Sequence, residues 1–378
     1  MSSLPTIRLA RSIVGEVEAM AIARVIADGY LGMGNEVKLF EDELADFVGV
    51  SRGNVLCVSS GTAALQLAAE AVLQPGDEVL VQSLTFVATF QALHAARAIP
   101  VPCEVLSNTL TIDLVDARRN MTPRTKAIMP IHYASYPGDL DAIYNFAADH
   151  KLRVIEDAAH AFGCRHHGQL IGSFGDIQCF SFDGIKNITS GEGGAVVTSD
   201  PVVLEYVSDA RLLGIERDTQ RRFAGQRSWD FDVKRPGYRS HMSNIMAAIG
   251  RIQLRRFVSE FAPKRVEFSK RYRQRLGAIP GVLLVDTDLG SITPHLQPIR
   301  ISNHRRDAVR AALQDLGIET GIHYKPNHLL SLFGGGQKSL PITELIYSEI
   351  LSLPLHPGLT LDEVDRVCDA VASILAGN

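Results

Sequence analysis

Between an apolar run at residues 55–58 and an Ala/Leu-rich stretch at 63–73 lies Ser59-Ser60-Gly61-Thr62. Backbone N–H groups at a helix start, hydroxyl donors and a glycine that lets a ligand come close together make an anion site suited to a phosphate. Read alone, such a hydroxyl serves equally well as a plain helix cap. A second stretch, Val154-Ile155-Glu156-Asp157-Ala158-Ala159-His160, ends an apolar run on acid. A carboxylate there is what a positively charged ring nitrogen needs, because in a partly desolvated site it keeps that nitrogen protonated. By itself Asp157 reads more simply as a cap. The third stretch is Ser181-Phe182-Asp183-Gly184-Ile185-Lys186-Asn187, followed by Thr189-Ser190-Gly191-Glu192-Gly193-Gly194. A lysine just past a strand and beside a Gly-rich loop is able to attack an aldehyde, and desolvation lowers its pKa for that task. Most lysines are only surface residues, so the combination carries the weight.

These groups need a frame that brings strand ends together, and the chain supplies one. Residues 16–27 and 37–47 read as helices separated by a break at 29–34. Short apolar strands then alternate with helices: strands at 55–58, 78–81, 99–105, 125–132 and 152–155, and helices at 63–73, 89–97 and 139–150. That rhythm predicts right-handed crossovers and a mostly parallel sheet covered on both faces. Strands at 177–182 and 195–198 have only a Gly-rich loop between them, which predicts an antiparallel edge or a meander. In such a sheet ligands bind beyond the carboxyl ends of the strands, where all three stretches fall. From about Val258 the chain turns basic (Lys264, Arg265, Lys270, Arg271, Arg273, Arg275), which reads as the solvated face of a long linking helix. Beyond it, helix 307–316 and its neighbours suggest a smaller α+β unit. The expected division is a large domain over 1–257 and a small one over 258–378.

A phosphate loop, an acid for a pyridinium nitrogen and a lysine, in that chain order, match the needs of pyridoxal 5'-phosphate. The chain resembles the fold type I (aspartate aminotransferase fold) enzymes, in particular the DegT/DnrJ/EryC1 sugar aminotransferases. The likeness runs from Gly32-x-Gly34 and Phe40-Glu41 through Ser60-Gly61-Thr62, Leu84-Thr85-Phe86-Val87-Ala88-Thr89, Glu156-Asp157-Ala158-Ala159-His160 and Gly191-Glu192-Gly193-Gly194. It ends with Met242-Ser243-Asn244 and His323-Tyr324-Lys325-Pro326.

The resemblance implies roles for individual residues. Lys186 becomes the Schiff-base lysine and proton shuttle, and Asp157 the partner of the ring nitrogen. Phe86 stacks on the ring and His160, where many relatives have Gln, sits near its hydroxyl. Ser60, Gly61, Thr62 and Ser181 surround the phosphate, which Asn244 reaches from a neighbouring subunit, so that a homodimer with shared sites is implied. Arg239, His323, Tyr324, Lys325 and His328 fall to the substrate. Asp183 stands where relatives often carry His or an aromatic residue, and His241 where many carry Arg. The implied reaction moves an amino group from L-glutamate, by way of pyridoxamine phosphate, to a nucleotide-linked keto sugar. A 4-keto-6-deoxy sugar is favoured, of the kind used in lipopolysaccharide O-antigen or other glycans. A crowd of cations (Arg217, Arg221, Arg222, Arg227) in an otherwise loop-like segment suits the sugar nucleotide's diphosphate, or is a solvated loop.

Other readings of the same fold are a 3-keto sugar or cyclitol aminotransferase and a sugar dehydratase. Lys186 speaks against the dehydratase, whose family members carry His there. A non-catalytic regulator that binds a ligand or DNA would show degraded cofactor positions and a basic patch. Here those positions are intact, and 38 Lys+Arg against 42 Asp+Glu leave a net charge of −4. Neither duplex nucleic acid nor an anionic membrane is an expected partner. With 378 residues, 46% of them hydrophobic, the chain is long enough for a large core. Five widely spaced cysteines form no Cys-x-x-Cys pair, which predicts core thiols and neither a disulfide framework nor a metal knuckle. Without a signal-like leader or a long apolar run, the expected location is the cytoplasm.

Overall fold

The computed structural model describes residues 5–216, 218–226 and 230–377. Among the described residues twelve strands form three sheets. In chain order they are β1 (Val55–Val58), β2 (Glu78–Gln82), β3 (Ile99–Cys103), β4 (Thr125–Met129), β5 (Arg153–Asp157) and β6 (Arg165–His166). They continue with β7 (Gln169–Leu170), β8 (Ile177–Ser181), β9 (Gly194–Thr198), β10 (Val282–Leu284), β11 (Gln297–Ile301) and β12 (Ile350–Leu353). The large sheet has the order β1-β9-β8-β5-β4-β2-β3.

Both faces of this sheet are buried, and its strands read as continuous apolar runs for that reason. Side chains alternate between faces. Val55, Cys57, Leu80, Ile128 and Val154 join a core under helices Asn35–Val48, Leu140–His150 and Asn244–Arg256. Leu56, Val58, Val79, Met129 and Ile155 join another under helices Gly61–Val72, Val87–Ala95 and Pro201–Ala210. All five cysteines are buried and unpaired in these and neighbouring cores.

Two expectations change. The antiparallel element is no edge: β9 lies between β1 and β8 and runs against both, while β8, β5, β4, β2 and β3 are mutually parallel. Strand β1, far earlier in the chain, takes the edge and thereby points the same way as the parallel strands. The predicted strand 125–132 also stops early, because Pro130 supplies no ladder donor, and only Ile131 rejoins by a single bridge to Asp157.

The second sheet, β10-β11-β12, is antiparallel and packs against helices Ala262–Leu276, Arg306–Asp315 and Leu361–Ala376. Ile7 from the amino-terminal segment lies in that same core and bridges to Ile318. The basic run is only partly solvated. Arg265 is 2% exposed and donates to the carbonyls of Pro294, His295 and Leu355. Arg271 and Arg275 both pair with Asp365. Ahead of this helix, residues Phe257–Phe261 wind as a π-turn just before Pro263, whose missing N–H and bulky ring a regular helix accommodates poorly. Among the described residues no helix is long and apolar enough to cross a membrane.

Candidate active site

Because β1 is parallel to β2, β4, β5 and β8, the loops after all five leave the sheet at one edge. There they line a cavity of about 390 Å³ with Ser60, Gly61, Thr62, Thr85, Phe86, Thr89, Asp157, His160, Ser181, Asp183, Lys186, Glu192, His323 and Tyr324. Ten of the fourteen residues assigned by resemblance thus meet in one place. They are drawn from segments spread along the chain from Ser60 to Tyr324.

The floor is the start of helix Gly61–Val72. Ser60 is its cap, its Oγ accepting from the N–H of Ala63 at 3.1 Å. The first-turn N–H groups of Gly61 and Thr62 have no acceptor within the helix, as at any helix start. Gly61 is required by contact: a Cβ there would fall 2.7 Å from that of Ser181. Gly194 is required likewise, because a Cβ would meet the Ser60 carbonyl oxygen at 2.5 Å. Reversal of β9 brings this glycine opposite both Val58 and Ser181, which explains the Gly-rich loop before it.

Asp157 closes β5 and is 6% exposed. Its Oδ2 accepts from the hydroxyl of Thr89 at 2.7 Å and its Oδ1 from the N–H of Ala159 at 3.2 Å. Thr89 is a supporting residue that the sequence did not single out; its hydroxyl also meets that of Thr85 at 3.1 Å. Burial lowers the pKa of Lys186 from 10.5 to about 8, against the opposing pull of Asp157 and Asp183.

Three imidazoles surround this amine. Burial holds His160 well below its ordinary pKa, helped by the positive charge of Lys186, and His323 is lowered to about 4 by the same causes. His295, also held low by burial first, was not expected here; its ring centroid lies 4.5 Å from that of His160. All three are therefore neutral near pH 7. His160 Nε2 lies 3.2 Å from the hydroxyl of Tyr324, whereas its buried Nδ1 has no partner among the described residues. Phe86 is 55% exposed, its ring centroid 5.4 Å from that of Tyr324, so an aromatic face is open to the cavity.

The remaining assignments lie elsewhere in the chain. Lys325 and Arg239 are exposed and do not line the cavity. His328 is fully buried, with Nδ1 2.7 Å from Ser83 Oγ and Nε2 3.3 Å from Glu344 Oε1. In this position it pins the loop carrying His323 and Tyr324 to the end of β2. Asn244 starts helix Asn244–Arg256, donates to the Tyr30 carbonyl at 2.9 Å and lines a separate cavity of about 240 Å³ with Tyr30, Gly34 and Arg222. Arg222 is paired with Asp218 at 2.6 Å. Arg217 and Arg227 lie outside the described residues.

The residues present fit pyridoxal phosphate. An anion cradle with no room for a side chain at Gly61, a buried carboxylate, a desolvated amine and the orphaned Nδ1 of His160 share one cavity. One consequence concerns the chain alone. The neutral amine is the reactive form and is populated above the pKa. In cofactor-free protein, labelling of Lys186 by an amine-reactive reagent should therefore switch on as pH rises through about 8, and not near the ordinary 10.5. Peptide mass mapping across pH measures this, and a midpoint near the ordinary value would contradict the desolvation.

A family model described as the DegT/DnrJ/EryC1/StrS aminotransferase family matches residues 13–372. The chain is 36% identical to the dTDP-4-dehydro-2,3,6-trideoxy-D-glucose 4-aminotransferase of Saccharopolyspora spinosa, over 96% of this chain and 95% of that one. It superposes on the crystal structure of the aminotransferase TlmJ from Streptoalloteichus hindustanus with a TM-score of 0.91, at 34% identity over 98% and 99% of the two chains. A putative sugar aminotransferase of Streptococcus pneumoniae, in its PLP form, gives a TM-score of 0.89 at 25% identity over 98% and 99%. The expected architecture, a large and mostly parallel sheet in an α/β fold, is shared with these structures.

Proposed function

Because the chain belongs to the DegT/DnrJ/EryC1/StrS aminotransferase family, whose members depend on pyridoxal phosphate, we propose that it transfers an amino group from L-glutamate to a nucleotide-linked keto sugar, with a 4-keto-6-deoxy sugar as the acceptor. The observation that carries this reading is the convergence of Lys186, Asp157, Ser181 and the Gly61–Thr62 helix start on one cavity. The 4-aminating relative supports the position of the keto group.

Bound pyridoxal phosphate supplies an electron-withdrawing ring and a carbon on which amino groups are taken up and released. The protein does the rest. The N–H groups of Gly61 and Thr62, with Ser181 beside them, hold the phosphate at a helix start whose dipole favours negative charge. Asp157, steadied by Thr89, keeps the ring nitrogen protonated. Phe86 would cover one ring face, and neutral His160 would offer the ring hydroxyl a hydrogen-bond partner. Lys186 Nζ would hold the cofactor covalently and, once free, would carry the proton released from the amino-bearing carbon of the donor. Its lowered pKa suits it to accept and return that proton near neutrality. Glutamate would leave as 2-oxoglutarate, its new keto oxygen supplied by water, and the keto sugar would then take the amino group with its own carbonyl oxygen lost as water.

A homodimer completes the site in this reading, with residues 1–257 as the cofactor-binding unit and 258–378 as the smaller one. The buried Tyr30 hydroxyl and Asn244 Oδ1 have no partner within the described residues, and they flank one cavity. The apolar side chains of Val17, Met20, Ile26 and Leu31 stand exposed on and just after the adjoining first helix. A second copy would cover these groups, and Asn244 with Arg222 would then face its cofactor phosphate and the sugar nucleotide. Mixing two inactive variants, Lys186→Ala and Asn244→Ala, should restore partial activity, because one site of the mixed dimer carries neither lesion. If activity stays absent although subunits demonstrably exchange, Asn244 acts within its own chain.

The function itself is tested with a panel of nucleotide keto sugars and amino donors, read by mass spectrometry for replacement of the carbonyl oxygen by an amine. Amination of a 4-keto-6-deoxy sugar by glutamate is expected. Failure of every keto sugar while glutamate still converts the bound cofactor would overturn the acceptor class.

A further inference from the structure

Away from the cavity, two histidines converge on one carboxylate. His167 Nε2 lies 2.6 Å from Asp141 Oδ2, and His166 Nε2 lies 3.1 Å from Asp141 Oδ1. The histidines sit on the β6–β7 hairpin and Asp141 in the first turn of helix Leu140–His150. Neighbouring residues of a strand normally point to opposite faces. Here the two-residue turn His167-Gly168 has φ of +48° and +79°, the pattern of a type I′ hairpin. The left-handed backbone at His167 swings its ring to the side of His166, so that the ring centroids stand 4.1 Å apart. Asn or Gly is the preferred residue in such a turn, and histidine occupies it at some strain. His166 is held from behind by the ring of Phe174, with centroids 5.9 Å apart.

The donor set is chemically specific. One oxygen and two imidazole nitrogens lie within 4.8 Å of one another. Two imidazoles and a carboxylate, open to solvent on the remaining side, suit a borderline divalent cation with water filling the other positions. Magnesium and calcium want oxygen donors and near-complete oxygen shells, which this cluster does not offer. We propose that Asp141, His166 and His167 form a zinc site that clips the β6–β7 hairpin to helix Leu140–His150. The ion takes the place of the protons that the two rings now share with the carboxylate. None of the three residues lines the cofactor cavity, so the clip acts on the stability of the fold and not on the chemistry.

The test uses the holoenzyme without a histidine-containing tag, stripped with EDTA and titrated calorimetrically with zinc chloride. One saturating equivalent per chain is expected, with a raised Tm, because a ligand that binds only the folded state stabilises it. Magnesium chloride should give neither effect. His167→Asn keeps a residue that favours the left-handed turn, and Asp141→Asn keeps the shape of the carboxylate. Each should abolish the zinc equivalent and leave the cofactor absorbance unchanged. Absence of saturable binding to the unaltered enzyme would overturn the proposal. So would an equivalent that survives in both variants, which would belong to the histidines around the cavity.

Discussion

Replacing Lys186 by alanine is expected to abolish repeated turnover while leaving the fold intact. The amine is desolvated, with a pKa of about 8, and alanine removes a group that the folded chain holds at some electrostatic cost. Among the described residues no side-chain hydrogen bond ends on its Nζ, so the change leaves no buried partner orphaned there. Thermal melting should show a variant at least as stable as the parent in the cofactor-free state. The kinetic loss should be far larger, because proton transfer by a positioned group alone contributes about 10²–10⁴-fold and the covalent hold on the cofactor is lost as well. The cofactor should also become removable by dialysis, with loss of the absorption band at the edge of the visible range. A Lys186→Ala enzyme that still turns over repeatedly would mean that another group does this work.

The Asp157→Asn change should cost much more in kcat than in cofactor affinity. Asparagine retains an oxygen for the hydroxyl of Thr89, now bonded at 2.7 Å, so the local packing survives. What disappears is the negative charge that keeps a ring nitrogen protonated and thereby draws electrons from the reacting carbon. By analogy with loss of one donor to a developing charge, the barrier should rise by about 2.7–4 kcal/mol, a loss of about 10²–10³ in rate. Steady-state kinetics with glutamate, alongside a cofactor titration, separates the two quantities. A kcat near that of the parent would leave Asp157 with only its turn bond to the Ala159 N–H and its partner Thr89.

Much of this site was legible without coordinates. Strand and helix periodicities are local, so alternating apolar runs set out the sheet and the helices on its two faces. A residue just past a parallel strand has little choice but the carboxyl edge, which is why Ser60, Asp157, Ser181 and Lys186 were found by reading strand ends. The Gly61 and Gly194 contacts agree with that reading, since a Cβ at either would come closer to its neighbour than van der Waals contact allows. Asn244 and His328 show the limit. Both lie in stretches that the family likeness covers, yet one occupies a separate cavity and the other is buried behind the loop that carries His323 and Tyr324.

The sequence by itself thus determined most of the strand–helix alternation of the large sheet, its two covered faces, and the hydroxyl-and-glycine loop, acid and lysine at its rim. Tertiary structure alone decided that β9 runs second in the sheet, that His295 stacks on His160, that Arg265 is buried and that Asp141 meets His166 and His167. The reason is physical. Periods of 2 and 3.6 residues and the geometry of turns act over a few neighbours. Contacts between distant segments follow from how whole elements pack, and no spacing along the chain encodes them.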